Sequence, residues 1–333
     1  MIDPVQKALR RFVEETSVLQ TPLCISFGNL SHAQLLGGQD IECCQPYKEQ
    51  AQALEAGGFR LHAQPALNCR THILFAQRCR EENLGLIGQA AHALEKQGSF
   101  VFVCANELGP KSYEKRLKQL FGEIEVYSKY KVRIAIAQKT DHFDGAFCQE
   151  LSAMGSVFQI PDTSLVSYPG IFSWKHVDTG SALLVEHLPE VLKGTGADFG
   201  AGYGYLTHHI LSHYEQVDVV HLFEHDQRAL LAAQKNCEQF TPKCNFHWED
   251  VRKLKSELIY DWIVLNPPFH IGNKTDPQLG IQFLEKAFAC LKPGGTLFAV
   301  ANKSLPYEAH LKGKSIEFAV TQLKGFKIIT LTK

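Results

Sequence analysis

The chain has 333 residues and a nearly balanced charge, with 34 Lys and Arg against 35 Asp and Glu and a formal net charge of −1. Its length and a 45% share of hydrophobic residues predict two domains of ordinary size. The balanced charge argues against a protein that binds nucleic acids indiscriminately through a large positive charge. No apolar run is long enough to span a bilayer. The ten cysteines contain no Cys-x-x-Cys pair, so we expect reduced thiols, no metal, no membrane contact and a cytoplasmic location.

The N-terminal half repeats a pattern that recurs in the C-terminal half. Residues 96–106 (KQGSFVFVCAN) align without a gap with residues 292–302 (KPGGTLFAVAN). Such internal similarity predicts a duplicated fold. In the first copy, residues 24–29 stand where a glycine-rich turn is expected but contain one glycine, and residues 72–77 lack the prolines found at the matching point of the second copy. The first copy is therefore predicted to be degenerate, without cofactor or catalysis.

A basic stretch follows the repeated strand of the first copy. From Gly109 to Lys139 the chain carries eight Lys or Arg residues against three Glu residues. A local surplus of this kind can contact RNA phosphates without making the whole protein basic. A solvated helix face followed by an edge strand would explain the pattern equally well. The candidate phosphate contacts, at which a substrate could bind, are Lys115, Arg116, Lys118, Lys131 and Arg133.

A stretch containing glycine, serine and proline at residues 150–166 predicts a domain boundary, which gives domains 1–155 and 156–333. In the second domain, predicted strands alternate with helices, and two strands close the chain. The predicted strands are 196–199, 217–223, 245–248, 261–265, 296–300, 315–322 and 326–332. Three helices are predicted: one that starts at Tyr205, one over 227–237 and one over 280–291. This alternation predicts an α/β, Rossmann-like, doubly wound sheet with an antiparallel hairpin.

Three glycines, Gly200, Gly202 and Gly204, follow the first strand of this domain and precede a helix. Such a turn lets the backbone approach a ligand closely and directs helix N–H groups toward it. The spacing differs from the dinucleotide fingerprint, and Asp198 precedes the first glycine by two residues. A carboxylate there would repel a pyrophosphate but would suit a ligand that carries an ammonium group.

Two acidic residues follow the next strands. Glu224 ends the second strand about twenty residues after the glycines, where a carboxylate can accept both hydroxyls of a ribose. Asp226 competes with it for that role. Asp250 ends the following strand and could accept from an adenine amino group. Each alone could be a solvated loop carboxylate, but their order along the chain favours a nucleoside site.

The tetrapeptide Asn266-Pro-Pro-Phe269 follows the apolar strand 261–265. Its prolines fix φ and remove two donors, leaving the side-chain oxygen of Asn266 and the carbonyl of Pro267 as acceptors for an exocyclic amino group. Phe269 offers a flat face on which a base can stack. A plain turn after a strand is the alternative. The adjacent His270 could take up a proton after transfer or could simply be a polar loop residue.

These motifs, in this order, resemble those of class I S-adenosylmethionine-dependent methyltransferases that act on an exocyclic or amide nitrogen. The segments Tyr168–Ser173, Val177–Leu184 and Val300–Tyr307 are similar to segments of the bacterial ribosomal RNA guanine-N2 methyltransferases. That family often has Cys at position 201 and Asp at position 224, and neither difference removes a needed group. The resemblance implies two tandem methyltransferase-like domains, of which the first supports folding and RNA binding. It also implies that S-adenosylmethionine is held by Asp198, Gly200, Gly202, Gly204, Glu224, Asp250 and Asn266, and that Asn266, Pro267 and Phe269 are catalytic.

The implied activity is methyl transfer to the exocyclic N2 of a specific guanine in ribosomal RNA. The expected substrate is 16S RNA of the small subunit, and the expected enzyme is a monomer. Three alternatives remain open from the sequence: the corresponding enzyme for 23S RNA, an adenine-N6 or protein-glutamine methyltransferase, and a non-catalytic ribosome-assembly factor.

Overall fold

The computed structural model describes residues 3–37, 40–65, 67–257, 259–268, 270–271, 274–313 and 316–333. The chain divides into two compact units. The first is Met1–Val157 with Tyr168–Gly170, and the second is Phe158–Ser167 with Ile171–Lys333. The predicted boundary between residues 155 and 156 stays a prediction, because compactness alone does not show that either part folds separately.

The first unit is a seven-stranded sheet with helices. Its strands are β1 (Leu23–Ser26), β2 (Ile41–Cys44), β3 (Arg60–Leu61), β4 (Cys69–Phe75), β5 (Leu94–Ala105), β6 (Glu125–Lys129) and β7 (Val132–Gln138). Its helices are α1 (Pro4–Glu15), α2 (Leu30–Leu36), α3 (Lys48–Ala56), α4 (Arg80–Ala93), α5 (Pro110–Phe121) and α6 (Gly145–Met154). The strand order is β3-β2-β1-β4-β5-β7-β6, in which β7 runs antiparallel to both of its neighbours and the other pairs are parallel.

The second unit repeats this sheet. Its strands are β8 (Phe158–Gln159), β9 (Val166–Ser167), β10 (Gly194–Phe199), β11 (Val217–Glu224), β12 (Cys244–Trp248), β13 (Tyr260–Leu265), β14 (His270–Ile271), β15 (Lys274–Thr275), β16 (Leu291–Asn302), β17 (Phe318–Leu323) and β18 (Phe326–Thr332). Its helices are α7 (Thr179–Glu186), α8 (Tyr205–His213), α9 (Gln227–Asn236), α10 (Pro277–Cys290) and α11 (Tyr307–Gly313). The order β12-β11-β10-β13-β16-β18-β17 has the same connectivity and strand directions as the first sheet. The prediction of two tandem, doubly wound α/β domains is confirmed.

Two lysines at corresponding positions show that the duplication extends to individual side-chain hydrogen bonds. Lys139, after β7, donates to the carbonyls of Ala91, His92 and Leu94 at the end of α4, with N–O distances of 2.8–3.2 Å. Lys333, after β18, donates to the carbonyls of two residues near the end of α10 at 3.0 and 3.1 Å. A cation at a helix C-terminus satisfies carbonyls that have no partner within the helix.

The apolar strands of the second unit are buried on both faces of their sheet. On β13, Ile263 and Leu265 belong to one hydrophobic cluster, while Trp262 and Val264 belong to another. Alternate residues of a strand point to opposite faces, so each face of the sheet carries a core. This is why a parallel strand reads in the sequence as an uninterrupted apolar run.

The carboxyl ends of four parallel strands meet at one edge of the second sheet. Phe199 of β10 pairs with Phe223 of β11 and with Leu265 of β13, and Glu224 pairs with Trp248 at the end of β12. The turns that follow these strands therefore lie side by side, where open α/β sheets bind their ligands. Among the described residues, no helix is long and apolar enough to cross a membrane.

Candidate active site

The turn from β10 to α8 is built from glycines in left-handed conformations. The φ angles of Gly200, Gly202 and Gly204 are +76°, +55° and +84°, which residues with a Cβ rarely adopt. A Cβ at Gly202 would have no atom within 4 Å, whereas one at Gly204 would lie 3.0 Å from Ala233 of α9. Gly204 thus allows helix packing, and Gly202 lies beside open space.

Glu224 lies next to this turn and is almost wholly buried. Its Oε2 accepts from the N–H of Gly202 at 2.8 Å, and its Oε1 accepts from the N–H of Asp226 at 2.8 Å and lies 2.9 Å from Nδ1 of His225. Burial alone would raise the pKa of Glu224, but its hydrogen bonds, led by that with His225, lower the pKa below its ordinary value. The result is an ionised acceptor beside Gly202, with lone-pair capacity left on Oε2.

The other two acidic candidates are bonded to arginines two residues further on. The carboxylate of Asp226 accepts from the backbone and guanidinium of Arg228, and that of Asp250 accepts from the backbone and guanidinium of Arg252. Burial raises the pKa of Asp250, but the Arg252 contacts outweigh it and the pKa is lowered. Asp226 is thereby less suited than Glu224 to a ribose. The contact of Asp250 with an adenine amino group stays a prediction.

Asp198 has no exposed surface. Its Oδ2 accepts from the hydroxyl of Thr207 at 2.8 Å, which links the end of β10 to the first turn of α8. Its Oδ1 is buried without a hydrogen-bond partner in the described structure. Burial raises the pKa of Asp198 to about 7, although the Thr207 hydroxyl opposes this shift. The unpaired oxygen fits a cationic ligand group, but direct contact with an ammonium stays a prediction because the carboxyl group is enclosed.

Asn266 follows β13 and is held by two residues from the start of α7. Its Nδ2 donates to Oδ2 of Asp178 at 2.9 Å and to Oγ of Ser181 at 2.8 Å. Both amide hydrogens are therefore used, and the side-chain oxygen remains as an acceptor. Pro267 is buried. Phe269 and the side chain of His270 lie outside the described residues, so their roles stay predictions.

No role was predicted for Asp178 and Ser181, although their spacing contains a signal of a helix start. Asp178 is the N-cap of α7, and its Oδ2 also accepts from the N–H of Ser181 at 2.8 Å. An Asp three residues before a Ser at a helix start is typical of an N-cap. The contact with Asn266 crosses 88 positions of sequence and leaves no local pattern.

The basic candidates of the first unit fall into two groups. Arg133 makes a two-pronged ion pair with Glu114 of α5, and Arg116 lies 5.9 Å from the ring centre of Phe147. A phosphate contact by Arg133 would have to compete with that ion pair. The other three candidates, Lys115, Lys118 and Lys131, are exposed and have no ion-pair partner in the described structure.

In the first unit, the place that corresponds to the glycine turn is filled. Three residues, 27–29, separate β1 from α2, against five, 200–204, between β10 and α8. A Cβ at Gly28 would lie 2.5 Å from the side chain of Ile25 and 3.1 Å from that of Phe75. The Phe75 ring in turn stacks on His32 with ring centres 4.3 Å apart. This turn is thus shorter than the turn of the second unit, and Gly28 is crowded where Gly202 is open, which agrees with a degenerate copy.

Comparison with known proteins identifies the fold of the second unit. The family model for the methyltransferase small domain matches residues 162–330, about half of the chain. The chain belongs to this family. Within the part that the structure describes, no group of three or more His, Cys, Asp or Glu residues could hold a metal ion.

Two relatives carry the name ribosomal RNA small subunit methyltransferase C. The protein from Psychromonas ingrahamii is 28% identical over 241 residues, which is 72% of this chain and 68% of that protein. The protein from Alteromonas mediterranea is 30% identical over 225 residues, 67% of this chain and 61% of that protein. The alignments thus span about two thirds of these relatives. The resemblance to the ribosomal RNA guanine-N2 methyltransferases is confirmed.

A solved structure is similar to this chain over nearly its full length. It is the 16S rRNA N2 methyltransferase of T. thermophilus, determined with AdoMet and guanosine. It matches 99% of this chain and 92% of its own with a TM-score of 0.83 and 26% identity.

Proposed function

We propose that this protein transfers the methyl group of S-adenosylmethionine to the exocyclic N2 of a guanine in 16S ribosomal RNA. The observation that carries the proposal is the state of Asn266, whose amide hydrogens are both bonded within the protein at the end of β13. Its oxygen is therefore reserved for a donor such as an amino group. The similarity to the T. thermophilus enzyme across both units supports the same substrate class.

The residues around the glycine turn fit S-adenosylmethionine. Open space beside Gly202 admits a ligand, and Glu224 supplies an ionised acceptor for ribose hydroxyls. Bound there, the cofactor supplies a methyl group activated by a sulfonium. Contact between the unpaired oxygen of Asp198 and a cationic group of the cofactor is a further part of this proposal.

Asn266 and its neighbours orient the substrate. A guanine must leave its base stack to reach a strand-end pocket. The Asn266 oxygen and the Pro267 carbonyl then accept from N2 and place it for transfer, while stacking on Phe269 is a prediction. Positioning can contribute most of the rate, because an activated donor reacts once the acceptor is aligned. A strong base is not required, since the proton can leave after transfer.

The finer features of substrate and assembly are also proposals. The named target of the T. thermophilus enzyme, guanine 1207, is the proposed target in 16S RNA. We further propose that the protein acts as a monomer in the cytoplasm. The residues of the site, from Asp178 to Asn266, come from one unit of one chain, so no second copy is needed to complete it.

The test of this function is Asn266→Ala. We expect cofactor affinity, measured by calorimetry, to be retained, and methylation of 16S RNA to fall by about 10²-fold or more because the acceptor is no longer aligned. Mass spectrometry of nucleosides identifies N2-methylguanosine, with naked RNA and assembled small subunits as parallel substrates. Asn106→Ala, on the exposed surface of the first unit, is the control. Near-normal turnover of Asn266→Ala would overturn the assignment.

A further inference from the structure

Asn266 can act as an acceptor only if its amide is held in one of two orientations. Rotation by half a turn exchanges oxygen and nitrogen with little change in shape, and the surrounding hydrogen bonds decide between the two. The serine hydroxyl of Ser181 fits either orientation, because a hydroxyl can donate or accept. The carboxylate of Asp178 fits one, because it can only accept.

We propose that Asp178 and Ser181 are positioning residues that fix the Asn266 amide with its oxygen available to the target amino group. This inference rests on the proposed function, in which Asn266 receives the exocyclic amino group. Oδ2 of Asp178 lies 2.9 Å from Nδ2 of Asn266 and would face the amide oxygen if the group rotated. Two acceptors at that distance repel each other, so the rotated state is excluded.

Asp178 is itself held firmly by the start of α7. The same Oδ2 accepts from the N–H of Ser181 at 2.8 Å, so the atom that orients Asn266 also caps the helix. Ser181 is buried. A Cβ on Gly180 would lie 3.1 Å both from this carboxylate oxygen and from the ring of Phe326, so the position tolerates no larger residue without a shift. The Asp-x-Gly-Ser segment thus forms a compact support for Asn266.

Loss of this support should affect kcat and leave the affinity for the cofactor unchanged. A rotated amide would present N–H groups to the N–H groups of the guanine amino group and would push it out of line. The expected loss is therefore in kcat, of about 10²-fold, since misalignment by about 1 Å can have that effect. Cofactor affinity should be unchanged, because Gly202 and Glu224 are bonded to each other and not to Asp178.

The test compares three replacements of Asp178 in the full-length protein. Asp178→Ser keeps a good N-cap but has a shorter side chain, so it should lower kcat by about 10²-fold without loss of S-adenosylmethionine affinity. Asp178→Asn should retain activity within a few-fold, because its amide oxygen can accept from both Ser181 N–H and Asn266. Asp178→Ala should lower kcat like the Ser variant and also lower the melting temperature. Ser181→Ala, which leaves one of the two acceptors, should lower kcat by a smaller factor.

A matched control and a double-mutant cycle isolate the positioning role. Asp144 caps α6 through the N–H of Phe147 at 2.9 Å, and Asp144→Ala should lower stability without lowering kcat. In the Asn266→Ala background, Asp178→Ser should cause no further loss of kcat, because the residue acts through Asn266.

The outcomes also separate this inference from the proposed function. Normal turnover of Asp178→Ser together with strongly reduced turnover of Asn266→Ala overturns the positioning role alone. Normal turnover of Asn266→Ala overturns the proposed function. Additive losses in the double variant, or a loss of cofactor affinity in Asp178→Ser, would assign Asp178 to another part of the site and overturn the inference.

Discussion

Gly202 offers a test of the cofactor site at a single residue. A side chain there would project into open space beside Glu224 and occupy the room that the proposed ligand needs. We expect Gly202→Val to abolish S-adenosylmethionine binding in calorimetry while the circular dichroism spectrum stays native. Gly294→Val is the matched control, since Gly294 also has positive φ, +79°, with no atom within 4 Å of an added Cβ. Equal affinity in both variants would place the cofactor elsewhere.

Gly28 of the first unit is a poor control for this experiment. The matching position in the degenerate copy suggests Gly28→Ala, which should leave cofactor affinity unchanged. An added Cβ there would lie 2.5 Å from Ile25, however, so the variant should lose stability. This contact between Gly28 and Ile25 was not predictable from the sequence pattern.

The buried carboxyl group of Asp198 should make the stability of the protein depend on pH. Burial raises its folded pKa to about 7, against about 3.9 for an unfolded Asp. Between these values the unfolded chain has lost the proton that the folded chain keeps, so the contribution of this group to stability falls as pH rises from about 4 to about 7. Asp198→Asn removes this titration and should flatten the decline in unfolding free energy between pH 5 and pH 8, by at most about 3 kcal/mol. Urea denaturation at pH 5 and pH 8 measures it, and parallel declines would contradict the shift.

At the level of residues, the sequence predicted positions better than partners. Glu224 ends β11 and Asn266 follows β13, as expected, because an apolar run that ends in a polar residue marks a strand end. The partners of Asp198 and Asp250 were not predictable. Thr207 and Arg252 bond to them through side-chain geometry that neither periodicity nor spacing encodes.

Among the elements, the long ones were predicted and the shortest were missed. The strand predicted at 217–223 is Val217–Glu224, and the helix predicted at 227–237 is Gln227–Asn236. Each element is long enough to show the apolar pattern that is typical of its type. The two-residue strands β8 and β9 pair only with each other and are too short to show any periodicity.

In each seven-stranded sheet, the last strand along the chain carries a cation that binds a carboxylate of an earlier helix, and the two ion pairs differ in burial. Lys327 of β18 donates to Glu308 of α11 and to the carbonyl of Leu305, and it is 1% exposed. Arg133 of β7 binds Glu114 of α5 and keeps 25% of its side-chain surface exposed. Ion pairs lose more on removal of one partner when they are buried.

We therefore expect Lys327→Met to lower the unfolding free energy by about 3 kcal/mol and Arg133→Met by about 1 kcal/mol or less. Chemical denaturation followed by circular dichroism measures both. Lys324→Met, in the hairpin turn before β18, is the control. A larger loss from Arg133→Met would mean that burial does not rank these ion pairs.

For the whole molecule, duplication explains both the similarity of the two units and their difference in function. They share a strand order, strand directions and the lysine that caps the corresponding helix. Only the second has five residues between the first strand of its seven-stranded sheet, β10, and helix α8, with the open turn at Gly202. The fold was predictable because it repeats. The crowding around the turn at residues 27–29 of the first unit was not, because it depends on side-chain contacts such as that of Phe75 with His32.

RNA binding by the first unit stays a prediction, and its basic helix α5 provides the test. Replacing Lys115, Arg116 and Lys118 with Gln keeps helix propensity and removes three positive charges. RNA affinity should fall, and the slope of log affinity against log salt should flatten by about 0.7–0.9 per lost phosphate contact. The loss should be similar for target and non-target RNA, because phosphate contacts carry no sequence information.

The control for α5 is a triple variant on α1, in which Lys7, Arg10 and Arg11 are exposed on a helix of the same unit. It removes the same charge from a different surface, so it separates a local phosphate contact from a change in net charge. Equal salt slopes in the two triple variants would show that the effect is one of net charge. An unaltered slope in the α5 variant would leave folding support as the role of the first unit. A flatter slope in that variant alone, with S-adenosylmethionine affinity unchanged, would assign RNA binding to α5 and target selection to the strand ends around Asn266.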